Sequence, residues 1–240
     1  MTDHTTKAYD EELAQLKTML AQMGGLVEQQ LDDAIDSLSR RDTGLADLVI
    51  QNDEKVDALE HQIEERAIVT IAKRQPMARD LREIMVAIRV ASDLERIGDL
   101  AKNTAKRTHA ISEPLPRKLM VGVVRMGRMA QEELKNILDA YARSDATLAL
   151  EVWRADEDLD ALYNSIFREL LTYMMEDPRN ISLCTHLLFG AKNMERIGDH
   201  ATNIAENIHY LVHGKPLAEG RPKKDITSSL RIEGFNHSDE

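Results

Sequence analysis

The sequence predicts an all-α fold: two tandem three-helix bundles, spectrin-like in their up-down-up helices and related by internal duplication. Three observations predict it. First, the pentapeptide Glu95-Arg96-Ile97-Gly98-Asp99 recurs unchanged as Glu195-Arg196-Ile197-Gly198-Asp199, and a fixed-period repeat is the signature of a duplicated supersecondary unit. Its flanks match too, Asp93-Leu94 to Asn103 in one copy and Asn193-Met194 to Asn203 in the other. Second, apolar residues recur at steps of three and four over long stretches, the period of an amphipathic helix. Third, aromatics are only 4% of the chain while charged residues are 30%. Leu, Ala, Met, Glu, Asp, Arg and Lys dominate, and these residues favour long helices over strands.

The elements follow in order. Residues 1–9 are polar and expected to be loose. From about Asp10, an apolar seam runs through Leu13, Leu16, Leu20, Met23, Val27, Leu31, Ala34 and Leu38. Gly24 and Gly25 fall inside this helix, where each costs about 1 kcal/mol relative to Ala, so a close helix neighbour or a bend is expected there. Arg40 to Gly44 reads as a turn. A second helix has Leu45, Leu48, Val56, Leu59, Ile63, Ala67 and Thr70 on its seam and ends before Pro76, which disfavours helix in the residue preceding it. A third spans about 77–111, with Ala87, Val90, Leu94, Ile97, Ala101 and Thr104 inward. Ser112-Glu113-Pro114-Leu115-Pro116 breaks the pattern and separates the repeats.

The second unit repeats the plan. Its helices cover about 116–143 (Leu119, Val123, Met126, Ala130, Leu134, Ile137), 145–175 (Leu148, Val152, Leu159, Leu162, Ile166, Leu170) and 180–213 (Leu183, Leu187, Gly190, Met194, Ile197, Ala201, Ile204, Ile208, Leu211). Asp177-Pro178 stands where Pro76 stood. The first unit is thus 10–111 and the second 116–213. Residues 214–240 are charged, poor in apolar spacing and expected to be disordered. Helices of about thirty residues are about 45 Å long.

Charge and motif content narrow the function. Acids outnumber bases 42 to 31, a net charge of -11, which argues against non-specific nucleic-acid binding because that needs bases to neutralise phosphates. The single cysteine, Cys184, rules out an intramolecular disulfide and suits a reducing compartment. No apolar h-region lies in residues 1–10 and no run of about eighteen apolar residues occurs, so neither a signal peptide nor a transmembrane helix is expected. A cytoplasmic location follows, peripheral to the membrane through partners. No P-loop, dinucleotide fingerprint or Gly-x-Ser-x-Gly elbow is present.

The polar residues shared by both repeats are the candidate site. Glu95 and Asp99, like Glu195 and Asp199, are four apart beside the buried seam, where like charges repel by a few tenths of a kcal/mol. On the preceding helices, Asp53 and Asp57 match Asp156 and Asp160 in frame. If those helices pack side by side, each repeat gathers an oxygen-rich patch suited to hard cations such as Mg²⁺, Ca²⁺ or Mn²⁺, and to iron. The alternative is a solvated acidic face whose carboxylates pair with Arg96 and Arg196.

A di-iron carboxylate enzyme would need two Glu-x-x-His motifs. Glu206 to His209 supplies one, but Lys106 to His109 fails at the matching place. His61, His186 and His200 have no spaced partners, and Cys184 fits packing. The basic stretch Lys73 to Arg82 reads either as a docking surface or as helix-end charge complementing the helix dipole.

The duplicated Glu-Arg-Ile-Gly-Asp, Met23 to Gln30 (MGGLVEQQ), Ala72 to Pro76 (AKRQP) and Leu171 to Asp177 (LTYMMED) together resemble the PhoU family over roughly residues 8–213. That resemblance implies two tandem three-helix bundles and a non-enzymatic regulator of phosphate uptake and phosphate-regulon signalling. It implies an adaptor between the Pst phosphate transporter, through its ATPase PstB, and the sensor kinase PhoR, repressing the regulon when phosphate is plentiful. It implies a homodimer. It further implies a divalent or multinuclear metal (Mg, Mn, Zn or Fe) at Glu95 with Asp99 and at Glu195 with Asp199, followed one turn on by Asn103 and Asn203. Asp53, Asp57, Asp156 and Asp160 join this set from their helix positions as much as from the family. A carboxylate metalloenzyme, either a di-iron oxidase or a metal-dependent phosphoesterase, is the alternative, and a spectrin-like spacer a third reading.

Overall fold

Six long helices account for most of the described residues. The computed structural model describes residues 2–111 and 117–218, with side chains from residues 9 and 119 onward in the two stretches. The helices are α1 (Thr2–Arg40), α2 (Thr43–Arg74), α3 (Arg79–Ala110), α4 (Arg117–Arg143), α5 (Ala146–Glu176) and α6 (Ile181–His213), with one 3₁₀ turn at Pro178–Asn180. The expected break at Ser112–Pro116 and most of the expected tail, from residue 219 on, lie outside the described residues. The first helix begins at Thr2 and not near Asp10. No Gly or Pro interrupts residues 2–10, so the backbone ladder continues although the apolar seam has not yet begun.

The turns repeat with the helices. Arg41 and Ser144 both take left-handed φ, 56° and 51°, and each is followed by an aspartate cap. Asp42 accepts from the Leu45 N–H at 3.0 Å, and Asp145 from the Thr147 and Leu148 N–H groups at 2.9 and 3.1 Å. Such caps satisfy helix-terminal donors that have no partner within the helix.

The apolar seams form one continuous core through both repeats. Most predicted seam residues are buried, including Leu94, Ile97, Met126, Leu134, Met194 and Ile197. Two corrections concern the start of α2. Leu48 is 55% exposed and Leu45 only half-buried, while Ala46, Val49 and Asp53 are buried in their stead. Counting back from Val56 in steps of three and four reaches 53, 49 and 46, so the seam passes through a carboxylate. The same shift occurs in α5, where Ala149, Asp156 and Tyr163 are buried and Leu148 and Leu162 lie at the margin.

Each repeat packs α1 to α3 or α4 to α6 together, and the two repeats join side by side through α3 against α6 and α1 against α4. Both pairs are antiparallel. On α3 and α6, Arg82 contacts Tyr210, Asp93 contacts His200 and Arg107 contacts Phe189. On α1 and α4, a Cβ on Gly24 would lie 2.9 Å from Leu138 Cδ2, and one on Gly127 would lie 2.8 Å from Ile35 Cγ1. The Gly24 position therefore serves close helix approach, and α1 runs on unbroken through it.

Candidate functional site

Antiparallel crossing of α3 and α6 brings the two Glu-Arg-Ile-Gly-Asp segments to the same level at the middle of the molecule. At that level the glycines admit neighbouring helices. A Cβ on Gly98 would meet Val56 Cγ1 at 3.4 Å, Gln30 Oε1 at 3.5 Å and Asp53 Oδ1 at 3.6 Å. One on Gly198 would run into Asp156 Oδ1, Leu159 Cδ2 at 2.6 Å and Glu133 Oε2 at 3.1 Å. Both glycines thus admit close neighbours, polar groups together with one aliphatic side chain each.

In the first repeat, the structure brings Asp53 and Asp99 together through a residue that the spacing argument did not single out. Lys102 Nζ contacts both Asp53 Oδ2 and Asp99 Oδ1, the latter at 2.5 Å. Gln30 Nε2 donates to Asp53 Oδ1 at 2.8 Å and to the Gly98 carbonyl at 3.2 Å. Both oxygens of the buried Asp53 are therefore taken by donors of this chain. The same two carboxylates hold the Lys102 ammonium charged well above the usual lysine range, against the opposing desolvation. Glu95 and Asp57 sit beside this group. Burial pushes both carboxyls up, with neighbouring Asp99 adding to each. The Arg96 alternative is also realised: its Nε lies 3.3 Å from Glu95 Oε2 and its Nη1 3.7 Å from Asp99 Oδ2, on a 58% exposed side chain.

In the second repeat, Asp156, Asp160 and Glu195 are buried, and Asp199 is half-buried. A fourth buried carboxylate, Glu133 of α4, joins them over Gly198. Lys192 Nζ contacts Glu195 Oε1 at 2.8 Å and lies over the Tyr163 ring. Thr202 stands where the first repeat has Lys102, and its hydroxyl donates to the Asp199 carbonyl of its own helix at 2.8 Å.

The two asparagines differ. Asn203 donates to Asp93 Oδ1 at 3.3 Å, alongside His200 Nδ1 at 2.9 Å, and so faces the junction between repeats. Asn103 is half-buried on α3.

Among the described residues, no three Asp, Glu, His or Cys side chains are grouped so as to hold one metal ion. The fit to a metal differs between repeats. In the first, the Lys102 ammonium already sits between the carboxylates, so the residues present do not fit a cation there. In the second, Asp156, Asp160, Glu195, Asp199 and Glu133 are all oxygen donors, the ligand chemistry of a hard cation, although no three of them are drawn around one point and Lys192 holds Glu195.

Gln30, Glu133 and Lys102 escaped the sequence argument. A signal for the first two exists: α1 and α4 align in the same frame as Asp53 with Asp156, and this sets Gln30 against Glu133. Other candidates settle into local roles. Glu206 accepts from Trp153 Nε1 at 3.2 Å, and His209 packs on His213 with ring centroids 4.5 Å apart. Cys184 is buried. Within the basic stretch, Arg74 pairs with Glu12 at 3.0 Å, and Arg82 lies over the Tyr210 ring.

These features define a class: a duplicated helical-bundle protein with one buried polar cluster per repeat. A family model, the PhoU domain, matches residues 20–108 and 123–208, one match per repeat. The chain is 55% identical to a phosphate-specific transport system accessory protein PhoU homolog of Rhizobium meliloti (strain 1021), covering 95% of this chain and 96% of that protein. It is 52% identical to a protein of the same name from Caulobacter vibrioides (strain NA1000 / CB15N), covering 95% of this chain and 100% of that one. Among solved structures, PhoU from Pseudomonas aeruginosa superposes with a TM-score of 0.84 at 42% identity, over 86% of this chain and all of that one. The phosphate transport system regulatory protein PhoU from Streptococcus pneumoniae gives 0.82 at 27% identity, over 88% of this chain and all of that one. The chain belongs to the PhoU family, a family of accessory and regulatory proteins and not of enzymes.

Proposed function

We propose that this protein is a regulator of phosphate uptake and of phosphate-regulon signalling. Acting in the cytoplasm, it links a PstB-like transporter ATPase to a PhoR-like sensor kinase and keeps the regulon repressed when phosphate is plentiful. The observation that carries the reading is identity of 55% along nearly the whole length of a relative named as an accessory protein of phosphate-specific transport. No described helix is long and apolar enough to cross a membrane, which supports action on the transporter through a protein contact. Two copies associate in this reading; sedimentation of a monomer at all concentrations would remove that part.

The proposal includes a divalent metal at the second repeat, held by Asp156, Asp160, Glu195 and Asp199 with Glu133. There it would supply positive charge that draws α4, α5 and α6 together. The deciding experiment is alkaline phosphatase activity in phosphate-replete cells that lack this gene. High activity, restored to repression by the intact gene, is expected. Repressed activity together with normal phosphate uptake in those cells would sink the reading.

A further inference from the structure

The two repeats are duplicates in fold but not in the charge at their centres. At the two positions that close over the shared aspartates, the first repeat has an amide and an ammonium and the second a carboxylate and a hydroxyl: Gln30 against Glu133, and Lys102 against Thr202. In the first repeat, Asp53 Oδ1 accepts from Gln30 at 2.8 Å. Its Oδ2 accepts from Lys102, whose Nζ also lies 2.5 Å from Asp99 Oδ1. Lys102 is a residue of α3, one turn beyond Asp99, and its side chain is only 20% exposed. A metal ion bound by Asp53 and Asp99 would need about 2.0–2.6 Å to the same oxygens, which is the place the ammonium occupies. The two cations would exclude each other by space and by like charge.

We infer that Lys102 is the resident cation of the first repeat, and that the carboxylates Asp53 and Asp99 do not take a metal in this protein. Duplication has left Lys102 bridging two carboxylates at the first centre, with Thr202 in its place at the second. The inference concerns the first repeat and stands apart from metal binding at the second, which belongs to the proposed function.

The test is Mn²⁺ binding to the chelator-stripped full chain, measured by equilibrium dialysis, with thermal melts confirming that each variant folds. Four forms are compared: wild type, D53N/D99N, E195Q/D199N and Q30E/K102T, the last giving the first repeat the second repeat's residues. Bound Mn²⁺ is expected to be equal in wild type and D53N/D99N, lower in E195Q/D199N, and higher in Q30E/K102T. Loss of Mn²⁺ in D53N/D99N would overturn the inference, because a metal would then share the first centre with Lys102. If wild type and E195Q/D199N both bind none, the metal part of the proposed function fails. Q30E/K102T then decides the inference alone: Mn²⁺ acquired by this variant upholds it, and none acquired overturns it. Should Q30E/K102T not fold, the comparison of wild type with D53N/D99N in metal-binding protein settles the matter. In protein that binds none, K102M replaces it with a side chain of similar length and decides in the same way.

Discussion

Alanine at Gly198 and alanine at Gly98 should move stability in opposite directions, although the two glycines occupy the same place in identical pentapeptides. Each substitution gains about 0.8–1.0 kcal/mol of helix propensity. At Gly98 the new methyl meets Val56, Gln30 and Asp53 at 3.4–3.6 Å, ordinary contact distances, so most of the gain survives. At Gly198 the methyl would overlap Asp156 Oδ1 and come within 2.6 Å of Leu159 Cδ2. Both side chains are buried, at 1% and 0% exposure, so neither can swing into solvent. Overpacking of this kind costs about 1–3 kcal/mol.

Gly98→Ala should therefore stabilise by up to about 1 kcal/mol, and Gly198→Ala should destabilise by about 1 kcal/mol net. At about 2–4 °C per kcal/mol for a chain of this size, the two variants should melt on either side of the wild type, several degrees apart. Thermal melts and urea titrations of the chelator-stripped protein measure this. Equal shifts of the same sign in both variants would refute the claim that the two centres are packed differently.

Further outcomes follow from the same geometry. Burial pushes the Glu95 carboxyl above its ordinary 4.5, so the folded chain binds that proton more tightly than the unfolded chain. Its contribution to stability is then fully present below 4.5 and is lost as pH rises through the folded value. Glu95→Gln should accordingly melt higher than wild type at neutral pH, with the difference shrinking as pH falls toward 4.5; an E95Q chain less stable at neutral pH would contradict this. Asp42→Ala and Asp145→Ala each remove a helix cap and should cost about 1 kcal/mol by urea titration. Leu94→Ala, at a position with no exposure, should cost about 2–5 kcal/mol through the cavity it leaves. A cost below 1 kcal/mol there would mean that the α3 seam is not the core.

The helices and their arrangement into two repeats were legible along the chain, because the signals that specify a helix are local. Three-and-four spacing fixes which face is buried, and Pro76 and Pro178 mark the stops, whereas the caps at Asp42 and Asp145 came with the structure. Glu95, Asp99, Glu195 and Asp199 were legible as candidates because the duplication kept them. What the sequence left open is set by groups distant along the chain. Periodicity placed Leu45 and Leu48 on the seam, but helix packing buried Asp53 instead, a choice that depends on Gln30 and Lys102 being there to meet its oxygens. Asn203 shares the family spacing, yet Asp93 of the other repeat holds it at the junction. The antiparallel pairing of α3 with α6 and of α1 with α4 is likewise a property of the tertiary structure. It depends on side chains such as Leu138 over Gly24 and Ile35 over Gly127 fitting together, and no local pattern records that fit. The chemical difference between the two centres arises in the same way: identical pentapeptides on α3 and α6 are given different charge by one residue each from α1 and α4, and by the exchange of Lys102 for Thr202.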